Sequence, residues 1–170
     1  MGTNQPGSKT RIRDGSQYLI VERKTVDHRT RPMIHEATIR DGVPADHAGA
    51  REIQMAAFGD VHWPFGDEPL KVAEIAGGEM LGYLVWRRTF DDEFEILSLA
   101  THPKHRRKGV ARALIHDFCA RHKGDVFLEV RESNLGAIAF YESIGFERTG
   151  VRHAYYGNNS EGAIVMKLRF

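Results

Sequence analysis

From about residue 37 to the end of the chain, apolar residues recur with the period of a strand or of a helix, and glycines and prolines mark the changeovers. Ala37 to Arg40 reads as a first strand. Pro44 to Phe58 carries Ile53, Ala57 and neighbouring apolar residues at helical spacing, started by the Pro44-Ala45-Asp46 turn. Val72 to Ala76 and Met80 to Trp86 flank Gly77-Gly78, which predicts a hairpin. Glu95-Ile96-Leu97-Ser98-Leu99-Ala100-Thr101 reads as a strand that stops at Pro103, since proline cannot donate to a sheet ladder. Val110, Leu114 and Phe118 then share one helical stripe, with Ala111, Ile115 and Cys119 beside it, predicting a helix to about His122. Val126 to Val130 predicts a strand and residues 135–143 a short helix. Gly145 offers it a left-handed C-cap from which Phe146 packs back. Strands near Phe146 to Arg152 and Ala163 to Phe170 close the pattern. Without internal repeats, this order predicts a single α/β domain over residues 37–170, a mixed central sheet flanked by helices.

Residues 1–36 break the pattern. They are polar and basic, with Pro6, Gly7, Gly15 and Pro32 interrupting any period, and read as a weakly ordered extension in which Tyr18 to Val21 forms one added strand. A partner-binding tail is the alternative reading, and Met33 offers an alternative start just ahead of the domain.

The most informative stretch is Arg106-Arg107-Lys108-Gly109-Val110-Ala111, between the strand ending at Thr101 and the helix opening at Val110. A glycine turn that lets backbone approach a ligand, running straight into a helix, makes an anion site from free N–H groups and the positive end of the helix dipole. Two arginines and a lysine there point to a polyanion such as a diphosphate. The spacing is neither GxGxxG nor GxxxxGK[ST], so the dinucleotide and P-loop signatures are absent.

Arg106-x-x-Gly109-x-Ala111 resembles the acetyl-CoA-binding signature of the GNAT N-acetyltransferases, Arg/Gln-x-x-Gly-x-Gly/Ala. Asn134-Leu135-Gly136-Ala137-Ile138-Ala139-Phe140-Tyr141-Glu142-Ser143-Ile144-Gly145-Phe146 is similar to that family's second motif, Asn-x-x-Ala-x-x-Phe/Leu-Tyr-Glu-x-x-Gly-Phe. Leu128-Glu129-Val130-Arg131-Glu132-Ser133-Asn134 and the closing Tyr155-Tyr156…Ala163-Ile164-Val165-Met166 most resemble the RimI branch, whose members acetylate the N-terminal amine of a ribosomal protein. The resemblance covers roughly residues 38–170. It implies the GNAT fold and acetyl-CoA as cosubstrate.

It also implies roles. Backbone groups of Leu99, Ala100 and Thr101 would pair with pantetheine along a splayed strand edge, with the Leu99 N–H at the oxyanion. Main-chain N–H groups of Arg107, Lys108, Gly109, Val110, Ala111 and Arg112, following Arg106, would cradle the diphosphate. Asn134 would hydrogen-bond the cosubstrate, cap its own helix, or do both. Glu129 lies mid-strand, facing away from Val126, Leu128 and Val130, and matches the family's base; a solvated carboxylate paired to Arg131 is the alternative. Tyr141 matches the acid; the alternative is a core aromatic in the stripe Ala137, Phe140, Tyr141 and Ile144, with Phe140 expected to do most of the packing. Trp63 and Phe65 would line the peptide groove after the first helix, facing a loop that carries Tyr155 and Tyr156. Three departures from the branch bear on specificity: the order Trp63-Pro64-Phe65, Gly162 between Glu161 and Ala163, and Gly136 in a helix.

Composition adds exclusions. The 170 residues suffice for one core, and 24 Lys and Arg against 23 Asp and Glu give a formal charge of +1, with no bulk attraction for nucleic acid. The basic run Lys104 to Lys108 lacks the interleaved aromatics of a nucleic-acid patch. Cys119, the single cysteine, allows no intrachain disulfide and sits on the inward stripe as an inert thiol, so direct transfer is expected rather than an acyl-cysteine. Nine histidines show no HExxH spacing, and no metal is expected. Tyr18 to Val21 is too short for a signal peptide or membrane span, and a cytoplasmic location follows. The expected function is transfer of an acetyl group from acetyl-CoA to a protein N-terminal α-amine. A small-molecule amine or a lysine is the alternative acceptor, and a non-catalytic acyl-CoA-binding module the third reading.

Overall fold

The structure, a computed structural model, describes residues 37–59, 66–156 and 161–169. The expectations for residues 1–36 lie outside them. The elements run β1 (Thr38–Asp41), α1 (Asp46–Phe58), β2 (Leu70–Glu74), β3 (Met80–Phe90), β4 (Glu93–Thr101), α2 (Val110–Arg121), β5 (Asp125–Arg131), α3 (Leu135–Glu142), β6 (Glu147–Tyr156) and β7 (Glu161–Arg169). The strands form a seven-stranded sheet in the order β1-β2-β3-β4-β5-β7-β6. Every pairing is antiparallel except β4 with β5. The α/β architecture is the one the sequence predicts.

Two cores lie on opposite faces of this sheet. Facing α2 and α3, Leu114, Phe118, Leu128, Ile138, Phe146 and Met166 pack together. Facing α1, Ala50, Ile53, Val72, Tyr83, Val85 and Ala100 do so. The α2 stripe of Val110, Leu114, Ile115, Phe118 and Cys119 is buried, while Ala111 is half-buried. Gly77 and Gly78 make the β2–β3 turn with φ of 101° and 83°. Helix α3 ends in a Schellman motif: the Phe146 N–H donates to the Tyr141 carbonyl and the Gly145 N–H to Glu142, each at 3.1 Å, with Gly145 at φ 99°.

The edges depart from the sequence reading. α1 opens at Asp46 rather than Pro44, since its carboxylate accepts the Val43 N–H at 2.7 Å while Arg40 grips it from β1 at 2.7 and 2.9 Å. β3 runs on to Phe90, because the outward Arg87 can pair with Glu95 of β4 where apolar periodicity has already ended. A 3-10 turn over Pro103–His105 follows β4. Lys71, 1% exposed in its side chain, bridges Asp41 at 2.7 Å and Asp117 at 2.9 Å, pinning α2 to the β1–β2 edge.

Two glycines test packing in opposite senses. A Cβ on Gly82 would stand 2.7 Å from the Ala100 carbonyl oxygen and 2.9 Å from the Val110 side chain. Gly82→Ala should therefore cost about 1–3 kcal/mol as overpacking. A Cβ on Gly136 meets nothing within 4 Å in α3. Gly136→Ala should stabilise by about 0.5–1 kcal/mol. Paired thermal melts check both signs.

Candidate active site

The central feature is a split in the sheet. β4 pairs in parallel with β5 from Glu93↔Asp125 to Ile96↔Leu128, and there the pairing ends. At that point Leu97 is an extra residue: Trp86 opposes Ile96 and Val85 opposes Ser98. Such a bulge bends the strand and shifts its alternation. Phe94 and Ile96 face the α2 core, but Ala100 faces the α1 core.

Beyond the bulge, hydrogen-bond parity decides which backbone groups are free. The His102 N–H donates to the Leu81 carbonyl at 2.8 Å, so alternate residues Ala100 and Ser98 also spend their groups on β3. Leu99 and Thr101 turn theirs the other way, into the gap where β5 no longer pairs. The expected trio of Leu99, Ala100 and Thr101 is thus divided, with Ala100 committed to the ladder. An extended, amide-bearing ligand fits this edge as an added strand.

The gap leads to the turn before α2. Arg107 at φ 59° and Gly109 at φ 82° both adopt the left-handed region, folding the chain back on itself. Gly109 is the N-cap and offers no side-chain acceptor, leaving the first N–H groups of a 12-residue helix uncapped. Arg107 is exposed, and Lys108 is half-buried. Two of the expected cations are engaged elsewhere. Arg106 donates to the Ala57 carbonyl at the end of α1 (3.1 Å), and Arg112 to the Ser143 hydroxyl after α3 (3.1 Å). The buried His105 sets its Nε2 2.9 Å from Glu79, tying the turn to the β2–β3 hairpin. These residues fit a ligand ending in a diphosphate, held mainly by backbone.

Glu129 lies on the α1 face of β5, its side chain 13% exposed, one residue past the last β4–β5 pair. Its partner is Arg152 of β6, Nη1 to Oε1 at 2.8 Å, rather than Arg131 as the alternative sequence reading had it. Arg131 instead bonds Glu161 at 2.8 Å. Glu161 also accepts from the Ser133 hydroxyl and N–H, and Glu132 accepts the Gly162 N–H at 3.1 Å. A Cβ on Gly162 would stand 2.6 Å from the Glu132 carboxylate, the movable end of a flexible side chain. The pairings of Arg152, Glu132 and Glu161 went unread in the sequence, since each depends on strand order that no local pattern encodes.

On the other face, Asn134 caps α3, its Oδ1 accepting the Ala137 N–H at 3.1 Å. Ile138, absent from the expected stripe, is the buried residue of α3, while Ala137, Phe140, Tyr141 and Ile144 pack around it half-buried. Tyr141 therefore packs much as Phe140 does, its ring 5.5 Å from Phe146, and burial pushes its phenol up to about 12. Burial likewise pushes the Cys119 thiol up to about 12, so it carries no thiolate at neutral pH. Among the described residues, no group of three His, Cys, Asp or Glu could hold a metal ion. Trp63 and Phe65 lie outside the described residues. Tyr155 and Tyr156 belong to strand β6 rather than a loop, Tyr156 pairing with Glu161, and their side chains lie outside the description.

An open strand edge leading to an uncapped helix, with a carboxylate and a phenol on opposite faces of the sheet, is the layout of an acyl-CoA-dependent acyltransferase. The model for the Acetyltransferase (GNAT) family matches residues 38–146, and the chain belongs to this family. It is 32% identical to the N-alpha-acetyltransferase RimI of Mycobacterium tuberculosis over 136 residues, 72% of this chain and 86% of that one. It is 34% identical over 109 residues to the [ribosomal protein bS18]-alanine N-acetyltransferase of Escherichia coli, 61% of this chain and 73% of that one. The crystal structure of the ribosomal-protein-S18-alanine N-acetyltransferase from Escherichia coli superposes with a TM-score of 0.69 at 28% identity, over 78% of this chain and 92% of that one.

Two outcomes follow from this geometry. Gly109→Val must hold a β-branched residue at φ 82°, and should weaken acetyl-CoA binding by about 5- to 150-fold by calorimetry, as strain of about 1–3 kcal/mol implies. Separately, Ser133 and then Arg131 hold the Glu161 carboxyl below the usual glutamate range. A carboxyl lowered by folding stabilises the fold above its unfolded value and loses that effect as pH falls. Glu161→Gln should thus flatten the decline of the melting temperature below about pH 4.3 relative to wild type.

Proposed function

We propose that this enzyme acetylates the N-terminal α-amine of a protein or peptide, with acetyl-CoA as donor. The observation that carries the reading is Glu129 on the α1 face at the mouth of the split, opposite the face of α2 and α3. An amine reaching the gap from one face meets a carboxylate, while the thioester enters from the other. The relatives' names, an N-alpha-acetyltransferase and a ribosomal-protein alanine N-acetyltransferase, support a chain end as acceptor and a ribosomal protein as one such chain.

The residues divide the chemistry. The unpaired N–H of Leu99 stabilises the oxygen that gains charge as the amine nitrogen bonds to the acetyl carbon. Glu129 takes the proton the nitrogen must lose, and the carbon–sulfur bond then breaks. A phenol at about 12 does not surrender its proton outright to a thiolate of about 8.5. Tyr141 instead donates a hydrogen bond to the departing sulfur. The net change moves one amine proton, by way of Glu129 and solvent, to the released thiol. The backbone of Arg107 to Arg112 holds the diphosphate, and Asn134 sets α3 by its cap.

The choice of α-amine rests on proton availability. With a reference pKa near 7.7–8.0, roughly a quarter of α-amines are neutral at pH 7.4, against about one in a thousand lysines at 10.4. Glu129→Gln should lower kcat by about 10²-fold or more with acetyl-CoA affinity nearly unchanged. In a panel of alanine-started peptides, internal-lysine peptides and small amines, the α-amine peptides should turn over fastest. A small amine that outruns every peptide would assign the enzyme to another acceptor class.

A further inference from the structure

The carboxylate offered to the substrate is already engaged by a cation. Register explains how: Glu129 opposes Val165 of β7, and Arg152 opposes Ala163, two residues along on the same strand. The arginine therefore reaches diagonally across β7, passing the small side chain of Ala163. Its side chain remains 61% exposed while that of Glu129 is 13% exposed. The neighbouring charges on this face are matched among themselves. Arg131 is held by Glu161, and Lys167 lies 2.5 Å from Asp125. Towards an approaching amine, the Glu129–Arg152 pair thus presents little net charge, although one of its oxygens can still accept a proton.

Building on the assignment of Glu129 as base, we infer that Arg152 is a positioning residue that sets the amine preference, offsetting the attraction of Glu129 for ammonium groups so that the site selects amines arriving uncharged. A lysine side chain arrives protonated and needs an uncompensated carboxylate both to draw it in and to deprotonate it. Next to the guanidinium it gains neither, because like charges a few ångströms apart repel. An α-amine, neutral in substantial fraction, binds without that attraction and hands its proton to Glu129 only as it bonds to the acetyl carbon. The preference for chain ends then comes from an electrostatic filter as well as from groove shape.

The test compares kcat/KM for two peptides at pH 7.4, one with a free N-terminal alanine and no lysine, the other N-terminally blocked with a single internal lysine. Wild type, Arg152→Met, Arg152→Gln and Arg152→Lys are assayed, with folding checked by circular dichroism. Arg152→Met and Arg152→Gln should lower the α-amine-to-lysine ratio about ten-fold or more, chiefly by raising the lysine rate, while Arg152→Lys keeps it near wild type. An unchanged ratio in folded Arg152→Met and Arg152→Gln overturns the inference. So does loss of fold in both, which would make Arg152 a structural brace. Glu129→Gln run alongside separates the two levels of argument: full activity there sinks the base assignment itself. An inactive Glu129→Gln with an unchanged Arg152→Met ratio leaves the base standing and removes the role of Arg152.

Discussion

Everything in the site depends on the backbone hydrogen bonds that β4 and β5 do not make. Parallel pairing stops after Ile96↔Leu128, and the extra residue Leu97 turns the rest of β4 so that Leu99 and Thr101 aim their groups into open space. An unmet buried backbone group costs about 1–3 kcal/mol. A strand edge can keep such groups only where water or a ligand reaches them. The gap is thus held hydrogen-bonding capacity, available to an amide-bearing molecule. β3 keeps the bent strand in place by taking every second residue, Ser98, Ala100 and His102, into its own ladder. Gly82, with no side chain, lets β3, β4 and the start of α2 converge where the gap opens.

The same face also shows how charge is allotted. Cations and carboxylates crowd β5, β6 and β7, and the register decides their partners. Arg131, Ser133 and Glu161 close the β5–α3 turn onto the start of β7, with Glu132 and Gly162 bonded beside them. Lys167 sits over the Phe127 ring and against Asp125. That leaves Arg152 to Glu129. Because the structural pairs are satisfied independently, breaking the Glu129–Arg152 contact does not remove the bonds that hold the turn positioning α3 and its Asn134 cap.

Much of this was legible in the residues, and the illegible part has a physical cause. Helix α2, the Gly109 turn and the Gly145 cap are local: each follows from a period or from a backbone angle that glycine tolerates, and the structure places all three as expected. The orientation of Glu129 away from Val126, Leu128 and Val130 follows from strand alternation and is observed. The bulge at Leu97 carries no such mark, since Ile96-Leu97-Ser98-Leu99 reads as one apolar strand and only the two cores reveal the change of face. Arg152 pairs with Glu129 across an intervening strand, and the side-chain roles of Arg106 and Arg112 depend on helices far away in sequence. The motif located the Gly109 turn, but it could not say that Arg106 braces the end of α1, nor that Arg112 just beyond it braces the end of α3.

The roles proposed for Glu129 and Tyr141, on opposite faces of the sheet, have a consequence for how the reaction would be ordered. A side chain on the α1 face and one on the α3 face cannot meet through the sheet except at the split, so under those proposed roles the proton leaving nitrogen and the hydrogen bond to sulfur would act at two ends of one axis through it. Two reactants approaching along that axis are aligned before any bond forms, and such alignment of reacting groups is worth up to about 7–11 kcal/mol of the barrier. No covalent enzyme intermediate is then needed. The inward Cys119, its thiol raised to about 12 by burial, is suited to packing rather than attack. The side chains such a reaction needs can accordingly be few, because the divided sheet supplies the alignment that a nucleophilic residue would otherwise have to provide.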